Sequence, residues 1–196
     1  HSYSTIFGFL TYDVKNQVEA LQSSNFDGQR FPELYFFKPR YLLEINGSKL
    51  TVNRNYPETF ELIEAIENYN TPQKDTTAVE LKCRTAKETY LVNVEKIRNQ
   101  IAQGDFYEMN YCLEFFAEDI IIDAVKTFIS LNDKAQAPFS SFFKLGDKYL
   151  LCASPERFLK KEGAKLISQP IKGTIRKGES EEENTLLQQQ LKNDIK

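Results

Sequence analysis

The chain has 196 residues, 41% hydrophobic and 27% charged, with a formal net charge of -3, the makeup of a globular protein of one or two domains. This balance provides no basic field for nucleic acid, and no run of Lys and Arg marks an anionic membrane surface. The sole histidine is His1, which excludes a Ser-His-Asp triad and a histidine metal site, and the three cysteines, Cys83, Cys112 and Cys152, odd in number and without CxxC spacing, indicate neither a disulfide framework nor a zinc site.

Ile6-Phe-Gly-Phe-Leu-Thr-Tyr-Asp-Val14 is rich in aromatic and β-branched residues and reads as a strand already inside a fold, which suggests native sequence upstream. Residues 34 to 37, 41 to 45 and 49 to 53 read as further strands of a meander, with Asn46-Gly47 as the left-handed turn. Pro57 opens a helix carried by Phe60, Ile63, Ile66 and Tyr69, and the polar stretch 70 to 75 closes it. A soft boundary near residue 76 separates the remainder of an N-terminal subdomain, 1-76, from the start of a second domain, 77-196; the alternative is one body shared by the N-terminal and later strands, with a seam near 76.

Beyond that boundary, Thr85 with Glu88 makes a capping-box pattern ahead of Tyr90, Val94, Ile97 and Ile101, and Gly104 stands where a helix C-cap belongs. From Phe106 to Phe116 the residues alternate, with Tyr107, Met109, Tyr111, Leu113 and Phe115 on a core face and Glu108, Asn110, Cys112 and Glu114 on a polar one. A helix over 120 to 132 and strands over 141 to 145 and 149 to 153 follow. Ser180 with Glu183 announces a last helix carried by Leu187, Leu191 and Ile195, with no stop signal before the chain ends.

Between these elements lies a hairpin, Cys152-Ala-Ser-Pro-Glu-Arg-Phe-Leu159 and Ala164-Lys-Leu-Ile-Ser-Gln-Pro-Ile-Lys-Gly-Thr174, turning at Glu162-Gly163. Folding about that turn sets Glu156 near Gln169 and Ser154 near Ile171, because paired strands run ~4.8 Å apart. Glu156 and Lys172 then meet at the open end of the hairpin. Alternation places them on opposite faces unless Pro155, Pro170 or Gly173 breaks it. Read from composition alone, Lys172 fits a surface lysine beside a turn better than a functional residue, and Glu156 is at least as readily an ion-pair partner for Arg157 or a neighbouring strand.

Ala137-Pro-Phe-Ser140, Ala153-Ser-Pro-Glu-Arg-Phe158 and Pro170-Ile-Lys-Gly-Thr174, in that order and preceded by Ile101-Ala-Gln-Gly-Asp-Phe-Tyr-Glu-Met-Asn110, resemble the chorismate-binding family of anthranilate, aminodeoxychorismate, isochorismate and salicylate synthases. Likeness in Gly8-Phe-Leu-Thr-Tyr-Asp13 and Pro32-Glu-Leu-Tyr-Phe-Phe37 extends it across nearly the whole chain. Lysine at 172 resembles the aminodeoxychorismate synthases, where anthranilate synthases carry alanine. Glu108 occupies the place of the water-activating lysine of isochorismate and salicylate synthases; glutamine is usual there, so Glu108 is a departure.

The resemblance implies an α+β fold, with largely antiparallel sheets packed together and helices outside. It implies Lys172 as nucleophile and Glu156 as general acid on chorismate, with Gly173, Thr174 and Glu108 contacting substrate. It further implies Mg2+ held by acidic residues beyond Lys196, a glutamine amidotransferase subunit supplying ammonia, and folate biosynthesis in the cytoplasm. A chain ending before those ligands is expected to be inactive by itself, and its uncovered edges are expected to drive self-association. Two alternatives remain open: an anthranilate synthase component in which Lys172 is a neutral variation, and a non-catalytic scaffold that docks a glutaminase.

Overall fold

In the computed structural model, which describes residues 5–52, 56–70, 78–171 and 173–194, aromatic alternation decides the first pairing. β1 (Phe7–Leu10) runs antiparallel to β2 (Leu34–Phe37), with Phe7 opposite Phe37 and Phe9 opposite Tyr35. Facing residues of a ribbon point to the same side, so four rings collect on one surface. Phe143 covers that surface: its ring centroid lies 5.3 Å from Phe9, 6.0 Å from Phe37 and 6.4 Å from Tyr35. Gly8 faces Phe36, and a Cβ there would stand 2.1 Å from the Tyr35 carbonyl oxygen and 2.4 Å from the Phe36 ring. Only glycine permits that approach.

The expected strand over 6 to 14 stops at Leu10, because Tyr12–Val14 turns into one 3-10 turn that runs on into α1 (Lys15–Val18). The expected meander is instead two ribbons. β3 (Leu43–Asn46) pairs with β4 (Lys49–Val52) through a two-residue loop whose Gly47 has φ 58. Lys38-Pro39-Arg40 separates β2 from β3, and Pro39 has no N–H to extend a ladder. α2 (Thr59–Glu67) presents Thr59, Leu62 and Ile63 to its covered side, whereas Phe60, Ile66 and Tyr69 are exposed.

The chain divides into two units, His1–Pro72 with Phe143–Leu150, and Gln73–Phe142 with Leu151–Lys196. The expected boundary near 76 lies outside the described residues. In the second unit, α3 (Lys87–Gln103) ends at Gly104 in the left-handed conformation, φ 85, and Gly104 and Asp105 donate back to the carbonyls of Ile101 and Gln100. The capping box at its start does not form: the first helical bond runs from Tyr90 N–H to the Ala86 carbonyl, which makes Ala86 the cap and leaves Thr85 one position too early. Tyr90, Asn93, Val94 and Ile97 form the half-buried side of α3.

The strand expected over 106 to 116 shortens to β6 (Phe115–Phe116), paired with β5 (Lys82–Cys83). Alternation alone does not make a strand; it needs a partner ladder, and among the described residues only β5 provides one, two residues long. Of the expected core face, Tyr111 packs tilted against Tyr90 at 5.6 Å and accepts a hydrogen bond from Asn93 Nδ2 at 2.7 Å, while Tyr107, Met109, Leu113 and Phe115 are exposed. Arg84 forks onto Glu114 through Nε and Nη2, and its guanidinium lies 4.1 Å from the Phe116 ring centroid. The Arg84 hydrogen bond holds the Glu114 carboxyl below its ordinary range.

The next helix, α4 (Ala124–Ala135), starts four residues later than expected because the Asp123 carboxylate caps it, accepting from Val125 and Lys126 N–H. β7 (Phe139–Leu145) and β8 (Lys148–Ser154) form a hairpin turning at Gly146, φ 61, and β9 (Arg157–Glu162) pairs antiparallel with β10 (Lys165–Gln169). α5 (Glu181–Lys192) ends at Lys192 with the Asn193 N–H still bonded to the Gln189 and Gln190 carbonyls, and Ile195 lies outside the described residues. The fold is α+β with antiparallel ribbons, as expected. Among the described residues no helix is long and apolar enough to cross a membrane.

Candidate functional site

β8 ends at Ser154, and the next two residues make the corner that carries Glu156 into β9. The Ser154 hydroxyl closes this corner on both sides, accepting from Glu156 N–H at 3.3 Å and donating to the Glu156 carbonyl at 3.1 Å. The backbone at Glu156 is thus held by its own neighbour, while its carboxylate is exposed. The described residues of this chain do not by themselves bury Glu156.

Arg157 ties the corner to two other segments. Its Nε donates to Gln169 Oε1 at 3.1 Å, and its guanidinium carbon lies 4.7 Å from the Phe139 ring centroid. The hairpin register corrects the expected one. The loop is Gly163-Ala164, with Gly163 at φ 58, and Glu162 faces Lys165. A bulge between Ile167 and Gln169 then brings Gln169 opposite Arg157, rather than opposite Glu156. The bulge moves the partner of Arg157 off Pro170, which lacks an N–H for a ladder.

Past β10, Pro170 and Ile171 are exposed, and Lys172, the expected nucleophile, lies outside the described residues. The segment after it is laid along α5 in the reverse direction. A Cβ on Gly173 would stand 2.9 Å from Leu191 Cδ1, Arg176 pairs with Glu183, and Gly178 N–H donates to Asn184 Oδ1 at 2.8 Å. Ser180 caps α5 by accepting from Glu183 N–H at 3.1 Å. Glu183 in turn accepts from Glu179 N–H at 2.7 Å, and that bond, followed by Arg176, holds its carboxyl below the ordinary range. Gly173 is therefore seated on the helix, and Thr174 is exposed.

Glu108 is exposed in the irregular segment between α3 and β6, as are Asn110 and Cys112, which the alternation had placed on a polar face. Phe139 and Ser140 pack: Phe139 lies under Arg157, and Ser140 Oγ donates to the Ala137 carbonyl at 3.1 Å. Phe139 and Gln169 thus converge on Arg157, the residue that follows Glu156. Gln169 was not singled out from sequence; a turn placed at Gly163-Ala164 and a bulge ahead of Pro170 would have found it. Among the described residues no group of three or more His, Cys, Asp and Glu side chains is placed to hold a metal ion, so the expected magnesium has no site among them.

A family model described as chorismate binding enzyme matches residues 1–196. Aminodeoxychorismate synthase component 1 of Bacillus subtilis is 26% identical over 200 residues, covering 94% of this chain and 42% of that protein. Anthranilate synthase component 1 of Thermus thermophilus is 24% identical over 206 residues, covering 99% of this chain and 44% of that protein. The chain spans less than half the length of these relatives. The crystal structure of anthranilate synthase component I from Streptococcus pneumoniae TIGR4 superposes with a TM-score of 0.78 at 19% identity, covering 97% of this chain and 45% of that one. The structural likeness establishes a shared fold.

Proposed function

The chain belongs to the chorismate-binding enzyme family, and from that premise we propose that it is part of an aminodeoxychorismate synthase component 1, which aminates chorismate to 4-amino-4-deoxychorismate. The observation that carries this reading is Lys172 within Pro170-Ile-Lys-Gly-Thr174, following Glu156 in Ala153-Ser-Pro-Glu-Arg-Phe158. Lys172 attacks ring carbon 2 while Glu156 protonates the departing 4-hydroxyl, which leaves as water. Ammonia then adds at carbon 4, the bond from carbon 2 to the lysine nitrogen breaks, and chorismate plus ammonia has become the aminated product plus water.

The chemistry requires an uncharged amine and a protonated carboxyl. Desolvation shifts both groups that way, and the burial that does so has to come from more than the residues described, since Glu156 is exposed here. Gly173 and Thr174 offer a backbone N–H and a hydroxyl to a substrate carboxylate, on a loop held to α5. Glu108 completes the substrate-contacting set. A glutamine amidotransferase partner supplies ammonia. The described residues make no metal centre, and no step above passes through one.

The test uses the full-length protein containing this chain, with chorismate, magnesium and ammonia, and separates the products by chromatography. Aminodeoxychorismate is the expected product; Lys172→Ala abolishes it, and Glu156→Gln lowers turnover by about 10²- to 10⁴-fold. Unchanged turnover in Lys172→Ala with anthranilate as product refutes the lysine mechanism and favours the second reading, anthranilate synthase component I, which relatives of that name covering the same span support.

A further inference from the structure

We propose that Arg157 is a positioning residue for this site: it fixes the Ser154-Pro155-Glu156 corner to the end of β10 and keeps its own charge turned away from the Glu156 carboxyl. The inference rests on the reading of Glu156 as general acid. A general acid has to hold its proton, and a guanidinium within about 4 to 6 Å favours the ionised carboxylate. Arg157 is the next residue in the chain and cannot lose its own proton. Its charge therefore has to be managed by geometry.

Arg157 has two neutral partners. The Gln169 amide oxygen accepts from Nε at 3.1 Å, and the Phe139 ring face receives the guanidinium at 4.7 Å. Both interactions satisfy a cation without placing another anion beside the site. Both are also directional, so they fix where the half-buried side chain lies. They come from the first residue of β7 and the last of β10, three residues before Lys172. The bulge after Ile167 is what brings Gln169 opposite Arg157. The other charges of the hairpin, Lys160, Lys161, Glu162 and Lys165, lie toward its turn, with Lys160 paired to Glu162.

Lysine at 157 keeps the charge but loses the planar fork. The freed ammonium can then swing to Glu156, which methionine cannot do. The experiment compares Arg157→Met, Arg157→Lys and Gln169→Ala in the full-length enzyme, reading kcat, the KM for chorismate and the pH profile of kcat/KM. Both Arg157 variants are expected to lower kcat about 10- to 100-fold with KM within about twofold, the scale of a misplaced catalytic group.

Only Arg157→Lys is expected to move the carboxyl-governed limb of the profile, by about one pH unit downward. Gln169→Ala, which removes one tether and leaves the charge, is expected to lower kcat in the same direction and to add little in an Arg157→Met background. Wild-type kcat and profile in Arg157→Lys would overturn the proposal, as would a raised KM with kcat unchanged, which marks a substrate contact. Should the Arg157 variants fail to fold, wild-type kinetics in Gln169→Ala overturns it alone. Full turnover in Glu156→Gln removes instead the reading on which it rests.

Discussion

Replacing Ser180 by alanine removes the hydroxyl that accepts from Glu183 N–H at 3.1 Å and leaves that donor at the start of α5 without its protein acceptor. Loss of a serine N-cap costs about 1 kcal/mol, within a range of about 0.5 to 2. One kcal/mol is about fivefold in a local opening equilibrium, so the amide of Glu183 is expected to exchange about five times faster by hydrogen-exchange mass spectrometry. The effect should spread to the segment after Lys172, because Glu183 also receives the Glu179 N–H and Arg176, and Asn184 receives the Gly178 N–H. Ser180→Asp should restore protection, and Ser180→Gly should cost only a few tenths of a kcal/mol. Exchange in Ser180→Ala equal to wild type, or no rescue by aspartate, would refute the cap as the anchor of this loop.

Gly8→Ala places a methyl group against the Tyr35 carbonyl and the Phe36 backbone, neither of which can yield without parting β1 from β2. The expected loss is about 1 to 3 kcal/mol, read as a lower thermal midpoint; an unchanged midpoint contradicts the close approach. Glu183 titrates below its ordinary value, so its stabilisation is present above the unfolded-state pKa and is lost as pH falls through the folded one. Protection of the 173 to 180 segment should therefore decline on acidification below the ordinary glutamate range, and Glu183→Gln should flatten that decline.

Local chemistry was legible where one residue decides the conformation. Gly104 and Gly47 end a helix and turn a hairpin because each sits at positive φ, and Ser180 with Glu183 forms the cap that its spacing announces. Thr85 with Glu88 has the same spacing and forms none, since the backbone begins its helix one residue later. The segment from Phe106 to Glu114 alternates like a strand, yet strand formation depends on a partner that periodicity does not reveal. The hairpin beside Glu156 was found, but not its register: the bulge that seats Gln169 on Arg157 is a pairing between distant residues. The motif residues stand out in the sequence by their order and spacing, while Lys172 lies outside the described residues. The tethers around them do not stand out, because Phe139, Arg157 and Gln169 meet only through the folded chain.

The ring of Phe143 completes the aromatic face of the β1·β2 ribbon although it lies 106 positions along the chain from Phe37. On the ribosome, that ribbon emerges long before its cover, and it has to wait for the β7·β8 hairpin tip to be synthesised. A nascent chain arrested ahead of Phe143 should therefore expose Phe9, Tyr35 and Phe37 to chaperones, and protection of those rings should arise late in synthesis.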